Sequence, residues 1–471
     1  MISRRISAAL LVLAIVVAAA NGGASGNCED YCLPGARCCP THEDIVQFNE
    51  STKGRVYTSF DSEYSQLVVM INNRVSKLPY FVVVVESVDD VITAVKFARK
   101  HNIKITIRSL GHDYIGRATW DGSLQINLSN LTDFKFNLNS SRNQAGEVTA
   151  QAGNAWLRIY EEANKRGRVV VGGSSHTVII GGYTQGGGHS PIGRKFGLGV
   201  DNLLDVELVS ANGSLVHADK DGTTVTDTVT GLQSHSSNSD IFWAVRGGGG
   251  STFGIITSLT FKLHFDSKMV MILCSTPIFD EQGRNIGQNF MDSFNQLLTT
   301  SLAPEWEYAV NANDSLYYRT YIFNRLLQRD SFTPRFYNYL FNMVTDPNRK
   351  SFLLCTGVLV GGNINHVSSD ETPMNPSFRT AVVSMTCALS WHDPSRDEEM
   401  ISHAENVTKG FLQFGKGTFF NEPSVYQPDW KTAYWGVHYG RLLAIKREWD
   451  PDNILTCHHC VGSDLVKGVN L

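Results

Sequence analysis

RSLGHDYIG, residues 108–116, is the first of three glycine-rich stretches in this chain of 471 residues. The second is GGYTQGGGH, residues 181–189, and the third is RGGGG, residues 246–250. We expect each stretch to form a loop after a strand. Such a loop can bind an anion, because glycines let successive backbone N–H groups converge on it, and Arg108 adds positive charge. The three loops predict a large phosphate-bearing cofactor, and glycines needed only for tight turns are the alternative.

None of these stretches matches the two common nucleotide motifs. The G-x-G-x-x-G fingerprint at the start of a helix is missing, and so is the P-loop with its Gly-Lys-Ser/Thr ending. The sequence therefore argues against a nicotinamide cofactor on a Rossmann fold and against nucleotide hydrolysis.

The residues around the first stretch alternate between strand and helix patterns. Phe81 to Val85 is a β-branched run typical of a strand, and Ser87 opens an amphipathic helix that ends near Lys100. Ile103 to Ile107 is the next strand, which gives a strand–helix–strand unit. Further on, the patterns predict a strand over 147–152, a helix over 155–165, a hairpin turning at Asn212-Gly213, a strand over 255–263 and a helix over 431–449.

Composition limits the class of protein. Hydrophobic residues make up 42% and charged residues 18% of the chain, which excludes a disordered chain and a coiled coil. The formal net charge is −4, so we expect no nucleic-acid partner. At about 150 residues per domain the length corresponds to about three domains, or two large ones.

The first 24 residues look like a secretory signal peptide. Arg4 and Arg5 precede an uninterrupted apolar run from Ala8 to Ala20. A helix of that length spans about 20 Å, less than the hydrocarbon core of about 30 Å, so a membrane anchor is the weaker alternative. Seven N-x-S/T sequons agree with export and glycosylation: Asn49, Asn127, Asn130, Asn139, Asn212, Asn313 and Asn406. We expect a secreted, extracellular protein with no membrane anchor once the signal is removed.

Six of the nine cysteines cluster near the two ends of the chain. Cys28, Cys32, Cys38 and Cys39 near the N-terminus, and Cys457 and Cys460 near the C-terminus, are expected to form disulfides in an oxidising compartment. A metal site at Cys457-His458-His459-Cys460 is the alternative, and we expect no metal. Three further cysteines in apolar surroundings are predicted to be buried thiols: Cys274, Cys355 and Cys387.

Several motifs, in order along the chain, resemble the berberine bridge enzyme-like flavoproteins of the vanillyl-alcohol oxidase and p-cresol methylhydroxylase superfamily. They are the stretches 108–116 and 181–189, the run Trp243 to Gly250, Tyr439-Gly440-Arg441-Leu442 and Asp450-Pro451-Asp452-Asn453. The resemblance covers nearly the whole mature chain. It implies an α+β fold, with a two-part FAD-binding domain of the p-cresol methylhydroxylase type and an inserted substrate domain that contains an antiparallel sheet.

The resemblance also implies domain boundaries. We expect a signal peptide over 1–24, a cysteine-rich segment over 25–75, an FAD-binding domain over 76–267, a substrate domain over 268–424 and a C-terminal segment over 425–471 that returns to the FAD domain.

Carried over residue by residue, the resemblance implies FAD bonded covalently to His112. Many family members have a second link through a cysteine, and Ser175 stands at that position here, so we expect a single link. Val178 occupies a gate position whose small residue is typical of oxygen-reactive members. The full set of cofactor-binding residues implied in this way is Arg108, Ser109, Leu110, Gly111, His112, Asp113, Tyr114, Ser175, Val178, Gly182, Tyr183, Gly187, Gly188, His189, Gly254, Ile256 and Tyr439.

Tyr114, Tyr183 and Glu422 are the predicted catalytic residues. Tyr183 would face the flavin edge where negative charge collects. Glu422 stands where family members often have a tyrosine base, and a buried carboxylate with a raised pKa could remove the substrate proton. A surface or salt-bridged glutamate is the alternative. Cys387 and His438 also depart from the family pattern, which leaves alkaloid chemistry in doubt.

The resulting functional prediction is a secreted oxidase. A small-molecule alcohol, sugar or secondary metabolite would give a hydride to the flavin, and dioxygen would reoxidise the flavin to give hydrogen peroxide. Two alternatives stay open: a secreted flavin-loaded binding or defence protein with little turnover, and a flavin dehydrogenase that uses another electron acceptor.

Overall fold

The computed structural model describes residues 31–36, 38–175, 177–266, 319–346 and 352–465. The expected signal peptide, Cys28, Cys274 and the sequon at Asn313 lie outside the described residues. Within those ranges, no helix combines the length and the apolar character needed to cross a membrane.

The N-terminal part of the fold is built around a small sheet. Its elements are α1 (His42–Glu50), β1 (Arg55–Tyr57), α2 (Tyr64–Leu67), β2 (Phe81–Val84), α3 (Val88–Lys100), β3 (Ile105–Arg108) and β4 (Leu124–Asn127). The strands are ordered β1-β2-β4-β3, and β4 is parallel to both of its neighbours. The strand–helix–strand prediction is confirmed, with β4 between the two strands. Helix α3 begins with a capping box, in which Ser87 and Asp90 each accept the other's backbone N–H.

A larger antiparallel sheet follows. Its elements are β5 (Phe134–Asn137), β6 (Glu147–Gln151), α4 (Trp156–Asn164), β7 (Arg168–Val170), α5 (Ile180–Gln185), α6 (Gly193–Phe196), β8 (Leu203–Val209), β9 (Leu215–Asp219), β10 (Gly222–Thr226), β11 (Gln233–Ser236), α7 (Asp240–Val245) and β12 (Ile255–Phe265). The order is β11-β10-β9-β8-β12-β6-β5, and β7 pairs with the end of β12. The predicted hairpin is the β8–β9 pair, in which Gly213 has φ +86°.

The sequence predicts that each glycine-rich stretch follows a strand, and this prediction is wrong for two of the three. Only residues 108–116 come directly after a strand, β3. The first half of 181–189 lies in α5, because the buried side chains of Ile180 and Tyr183 share one helical turn, and their burial outweighs the low helix propensity of glycine. The stretch 246–250 follows α7, in which every residue from Ile241 to Val245 is buried.

The next part of the chain forms a three-stranded antiparallel sheet among the described residues. Its elements are β13 (Arg319–Leu327), α8 (Pro334–Thr345), β14 (Phe352–Leu359), β15 (Val383–Trp391) and α9 (Asp397–Phe411). β15 lies between β13 and β14. One face packs through Phe323 and Leu389 on apolar side chains of α8 and α9, such as Phe336 and Met400. The α+β fold with an antiparallel sheet in the later half is confirmed.

The last segment contains α10 (Trp430–Trp435) and α11 (Tyr439–Trp449). The prediction of one continuous helix is wrong, because the chain turns at Gly436 with φ +57°. After α11 the chain returns to the first sheet, where the Ile105 N–H donates to the Ile454 carbonyl at 2.9 Å.

The cysteine predictions are partly right. Cys32 pairs with Cys38 and Cys457 with Cys460, so both clusters contain disulfides. The expectation of buried thiols at Cys355 and Cys387 is wrong: they face each other across β14 and β15 and form a disulfide. Adjacent antiparallel strands bring directly opposed residues within bonding reach, a register that the sequence does not reveal.

One of the seven sequons is buried in the folded chain. Asn127 lies in β4 and is 5% exposed, so it cannot accept a glycan in the folded chain. Five of the other sequon residues are at the surface: Asn49, Asn130, Asn139, Asn212 and Asn406.

Candidate active site

A cavity of about 1220 Å³ lies between the first two sheets and the antiparallel sheet of β13–β15. One part of its wall comes from residues in the ranges 107–118, 173–175, 178–185 and 250–256. The other comes from β13–β15 with the residues that follow β15, and from segment 419–422. The cavity therefore combines the predicted cofactor side and the predicted substrate side.

His112 lines the cavity from the first part of the loop between β3 and β4. Its Nε2 lies 2.7 Å from Thr177 Oγ1, which fixes the orientation of the ring. Gly111 precedes it with φ +80°, and an added Cβ would lie 3.2 Å from Met70 Sδ, so glycine suits the turn that presents the imidazole. Most of the loop predicted to hold the cofactor also lines the cavity: Ser109, Leu110, Gly111, Asp113 and Tyr114.

Arg108 does not lie where the sequence predicts, beside the bound cofactor. Its guanidinium donates to the carbonyls of Leu67 and Val69, and Arg108 is not part of the cavity wall. Burial lowers the pKa of Arg108. The two carbonyls accept hydrogen bonds from a guanidinium that we expected to bind a phosphate. Arg108 therefore ties β3 to the segment after α2.

Tyr183 lines the cavity, and its hydroxyl donates to the His189 carbonyl at 2.9 Å. Burial raises its pKa well above the ordinary value, so the phenol stays protonated. Gly182 also lines the cavity, and an added Cβ there would meet no atom within 4 Å, so the backbone of α5 is open to a bound molecule. Ser175, Val178 and Ile256 complete this wall.

Four other predicted cofactor residues lie behind the wall. An added Cβ would meet Met374 at Gly187, Tyr183 at Gly188 and Leu208 at Gly254, so these glycines permit close packing inside the protein. The Tyr439 hydroxyl donates to Asp464 at 3.0 Å, away from the cavity. Direct contact with a cofactor is therefore not supported at these positions.

Glu422 lines the cavity at the end of segment 419–422 and makes three hydrogen bonds. Its Oε1 lies 2.9 Å from His189 Nε2. Its Oε2 accepts from Asn324 Nδ2 at 3.1 Å and from the Thr386 hydroxyl. The Asn324 side chain is fully buried, and its Oδ1 accepts the Phe419 N–H at 2.8 Å, so it anchors both ends of the segment.

Of the two alternatives for Glu422, the carboxyl with a raised pKa is wrong, and the salt-bridged glutamate agrees with the contact to His189. Burial pushes the pKa of this carboxyl up, but His189 and the hydrogen bonds from Thr386 and Asn324 outweigh burial and leave the pKa below its ordinary value. Glu422 is therefore an ionised carboxylate at neutral pH.

Sequence reasoning missed the partners of Glu422. Asn324 could have been noticed as a lone amide after the otherwise apolar run from Tyr321 to Phe323, because a buried amide needs partners. Thr386 gives a weaker signal: it alternates with Ala388 and Ser390 on the face of β15 that lines the cavity.

Comparison with known proteins agrees with this arrangement. Residues 79–219 match the FAD binding domain family, and residues 418–462 match the berberine and berberine-like family. The FAD-linked oxidoreductase easE of Arthroderma benhamiae is 30% identical in an alignment that covers 82% of this chain and 90% of that protein. This chain is a berberine bridge enzyme-like FAD-linked oxidoreductase.

Other relatives extend the match. The VAO-type flavoprotein oxidase VAO615 of Thermothelomyces thermophilus is 29% identical, over 83% of this chain and 77% of that protein. Two solved structures share the fold: Physcomitrella patens BBE-like 1 (TM-score 0.71, 22% identity, 89% of this chain and 99% of that one) and chitooligosaccharide oxidase (TM-score 0.69, 18% identity, 89% and 99%).

The cavity of this FAD-linked oxidoreductase fits its cofactor. It is large, and it is edged by glycine backbone at Gly111, Gly173, Gly182 and Gly250. The open space beside Gly182 leaves room for bound FAD, and the imidazole of His112 lies in the same wall. Residues 109–114, 173–175, 178 and 182–183 would hold it.

Proposed function

We propose that the chain is a secreted oxidase that carries FAD on His112 and oxidises a small molecule in the cavity. The observation that carries the proposal is the shared cavity, because His112 and Glu422 lie in walls contributed by different parts of the fold. Bound FAD supplies a two-electron acceptor that dioxygen can reoxidise with release of hydrogen peroxide.

The residues around His112 support a single covalent link. Thr177 holds the ring through Nε2 at 2.7 Å, and Ser175 lines the same wall where other family members have a cysteine. A serine hydroxyl cannot form the thioether that a second link needs. Val178 also lines the cavity, and its small side chain leaves room for dioxygen.

The substrate wall supports a small organic substrate with both polar and apolar parts. Ile322 and Leu354 offer apolar contacts, while Thr356 and Ser390 place hydroxyls on the same face of the sheet. An alcohol, a sugar or a secondary metabolite would fit this mixture. The Tyr183 hydroxyl, held by the His189 carbonyl, fixes the ring beside the wall that would carry the flavin.

An extracellular location is supported by two features of the described residues. They contain three disulfides, which persist in oxidising compartments. They also contain sequon asparagines at the surface, such as Asn130, Asn139 and Asn212.

The test begins with the purified, fully loaded protein. Acid precipitation should leave the yellow colour in the pellet, and His112→Ala should release it to the supernatant. His392→Ala is a matched control, because His392 lines the same cavity within the other wall. Loss of colour from the pellet of the unmodified protein would contradict the covalent link.

A peroxide assay across alcohols, sugars and amines tests the oxidase. We expect peroxide with at least one compound, and none from His112→Ala above the background of the buffer. Rapid anaerobic bleaching without peroxide in air would point to the dehydrogenase. No bleaching with any compound would favour the binding protein.

A further inference from the structure

Arg117 is a buried cation in the wall that would hold FAD. It follows His112 in the same loop, lines the cavity and is 6% exposed. Its Nη1 donates to the Phe420 carbonyl at 2.7 Å, and its Nε donates to the His458 carbonyl at 3.3 Å. The guanidinium carbon lies 3.6 Å from the centre of the Phe420 ring. These partners are uncharged, so they orient the guanidinium without neutralising it.

The carboxylate that opposes Arg117 is a distant partner. Asp113 Oδ2 lies 4.0 Å from Arg117 Nη1, which is too far for a hydrogen bond. The other oxygen of Asp113 accepts the backbone N–H groups of Ile115 at 3.0 Å and Arg117 at 2.6 Å. Burial lowers the pKa of Arg117, and Asp113 and Tyr434 oppose this effect without reversing it. An arginine nevertheless keeps its proton in proteins, so the wall contains a positive charge that Asp113 offsets in part.

No other lysine or arginine of the described residues lines this wall. Arg108, which we expected to bind a phosphate, donates to two backbone carbonyls away from the cavity. Arg396 lines the other wall, where its side chain is 40% exposed and pairs with Glu399 at 3.2 Å. Burial, reinforced by the charge of Arg117, lowers the pKa of His458 to about 4, so this neighbouring ring is uncharged at neutral pH.

FAD brings negative charge into such a wall. Its pyrophosphate is anionic in every redox state, and its ring gains negative charge on reduction. A buried cation stabilises either charge more than an exposed cation does, because water and salt screen it less. We propose that Arg117 offsets the negative charge of bound FAD, the role that the sequence suggested for Arg108. The inference rests on the proposed function, since it needs FAD in this cavity, and it adds a residue that the proposed function does not use.

The alternative is a purely structural arginine. The loop after β3, segment 419–422 and the C-terminal segment meet at the Arg117 guanidinium. A structural arginine acts through its planar fork of donors, which a lysine does not reproduce. A counter-charge acts through its positive charge, which a lysine keeps. Replacement by methionine and by lysine therefore separates the two roles.

The first measurement is the dissociation constant of FAD. It uses the full chain with His112→Ala, so that binding is reversible, and follows the quenching of flavin fluorescence. We expect Arg117→Met to weaken FAD binding at least about tenfold, and Arg117→Lys to stay within about threefold of the parent. Arg396→Met is the matched control, because it removes the other arginine of the cavity, and it should change the constant by less than about twofold.

The second measurement is the midpoint potential of the flavin in the loaded protein, obtained by reduction alongside a reference dye. If the charge acts on the ring, Arg117→Met should lower the preference for the reduced form about tenfold, which is about 30 mV for a two-electron couple. Weaker FAD binding that lysine restores assigns the charge to the pyrophosphate, and a lower potential assigns it to the reduced ring. Either result supports the proposal.

The outcomes also separate this inference from the proposed function. An unchanged affinity and potential in Arg117→Met, or equal weakening by methionine and lysine with an unchanged potential, would overturn the inference and leave the proposed function standing. A parent protein that binds no FAD would refute both. If Arg117→Met does not fold, Asp113→Asn removes the opposing charge, keeps an acceptor oxygen for the loop and should tighten FAD binding about threefold or more. Unchanged or weaker binding in Asp113→Asn would count against the proposal.

Discussion

Arg379→Met should strongly destabilise the protein, because it leaves a buried carboxylate without its cation. The Arg379 guanidinium donates to both carboxylate oxygens of Asp201 at 2.8 Å, and both side chains are 6% exposed. Asp201 follows the second glycine-rich stretch, and Arg379 precedes β15. The pair therefore connects the cofactor wall with the sheet that holds Thr386.

The magnitude follows from burial. Removing one partner of a buried ion pair costs about 3–5 kcal/mol, because the other charge stays out of water. Asp201 would still accept the Leu198 N–H at 2.9 Å, but a backbone amide does not replace a guanidinium. For a protein of this size, with an unfolding entropy of about 1 kcal/mol/K, we expect the melting temperature to fall by about 3–5 °C.

The assay is thermal unfolding followed by circular dichroism, with two comparisons. Arg396→Met removes an exposed ion pair with Glu399, at 3.2 Å and with side chains 40% and 43% exposed, so it should cost about 0–1 kcal/mol. Arg379→Met/Asp201→Asn removes both charges and should recover part of the loss. The reasoning is refuted if Arg379→Met is no worse than Arg396→Met, or if the double variant is as unstable as the single one.

A tightly packed glycine, a disulfide and a buried histidine give three more tests. Gly186→Ala should lower the melting temperature and loosen the cavity wall, because the added Cβ would lie 1.9 Å from Asn421 Oδ1. Gly440→Ala is the control: its Cβ would meet no atom within 4 Å, so the variant should be as stable as the original protein or more stable. Cys355→Ala/Cys387→Ala opens a link across 32 residues and should cost about 3–4 kcal/mol of unfolding free energy in urea, and no loss would argue against the bond. Burial lowers the pKa of His264 to about 4, below its ordinary 6.5, so the unfolded chain binds the proton first and stability should fall as the pH drops from about 6.5 to 4. His264→Gln should flatten that part of the stability curve, and an unchanged curve would show that another group controls it.

Local patterns explain why several elements could be predicted from the sequence. Helix α3 has its cap at Ser87, and the β8–β9 turn is specified by Asn212-Gly213, so neighbouring residues determine both. The errors arise where distant contacts override local preference. The helix at Ile180 to Gln185 contains two glycines, yet burial of its apolar side chains holds it. The break at Gly436 and the pairing of Cys355 with Cys387 likewise depend on packing and register.

The candidate site shows the same division. His112, Tyr183 and Glu422 could be named from motifs, and all three line one cavity. The direction of the pKa shift at Glu422 could not be predicted from motifs, because it depends on His189, Asn324 and Thr386. These residues lie 233, 98 and 36 positions away in the sequence. Burial alone would have raised that pKa.

The chemistry of the pocket therefore depends on how a carboxylate is solvated by the protein. A glutamate surrounded by apolar side chains would have a raised pKa, closer to the working pH, where its carboxylate is a more effective base. Glu422 instead contacts His189, Asn324 and Thr386, and these contacts hold its pKa below the ordinary value, so that it keeps its charge. The glutamate at the position of the family's tyrosine therefore adds a charged group to the part of the cavity wall that segment 419–422 contributes.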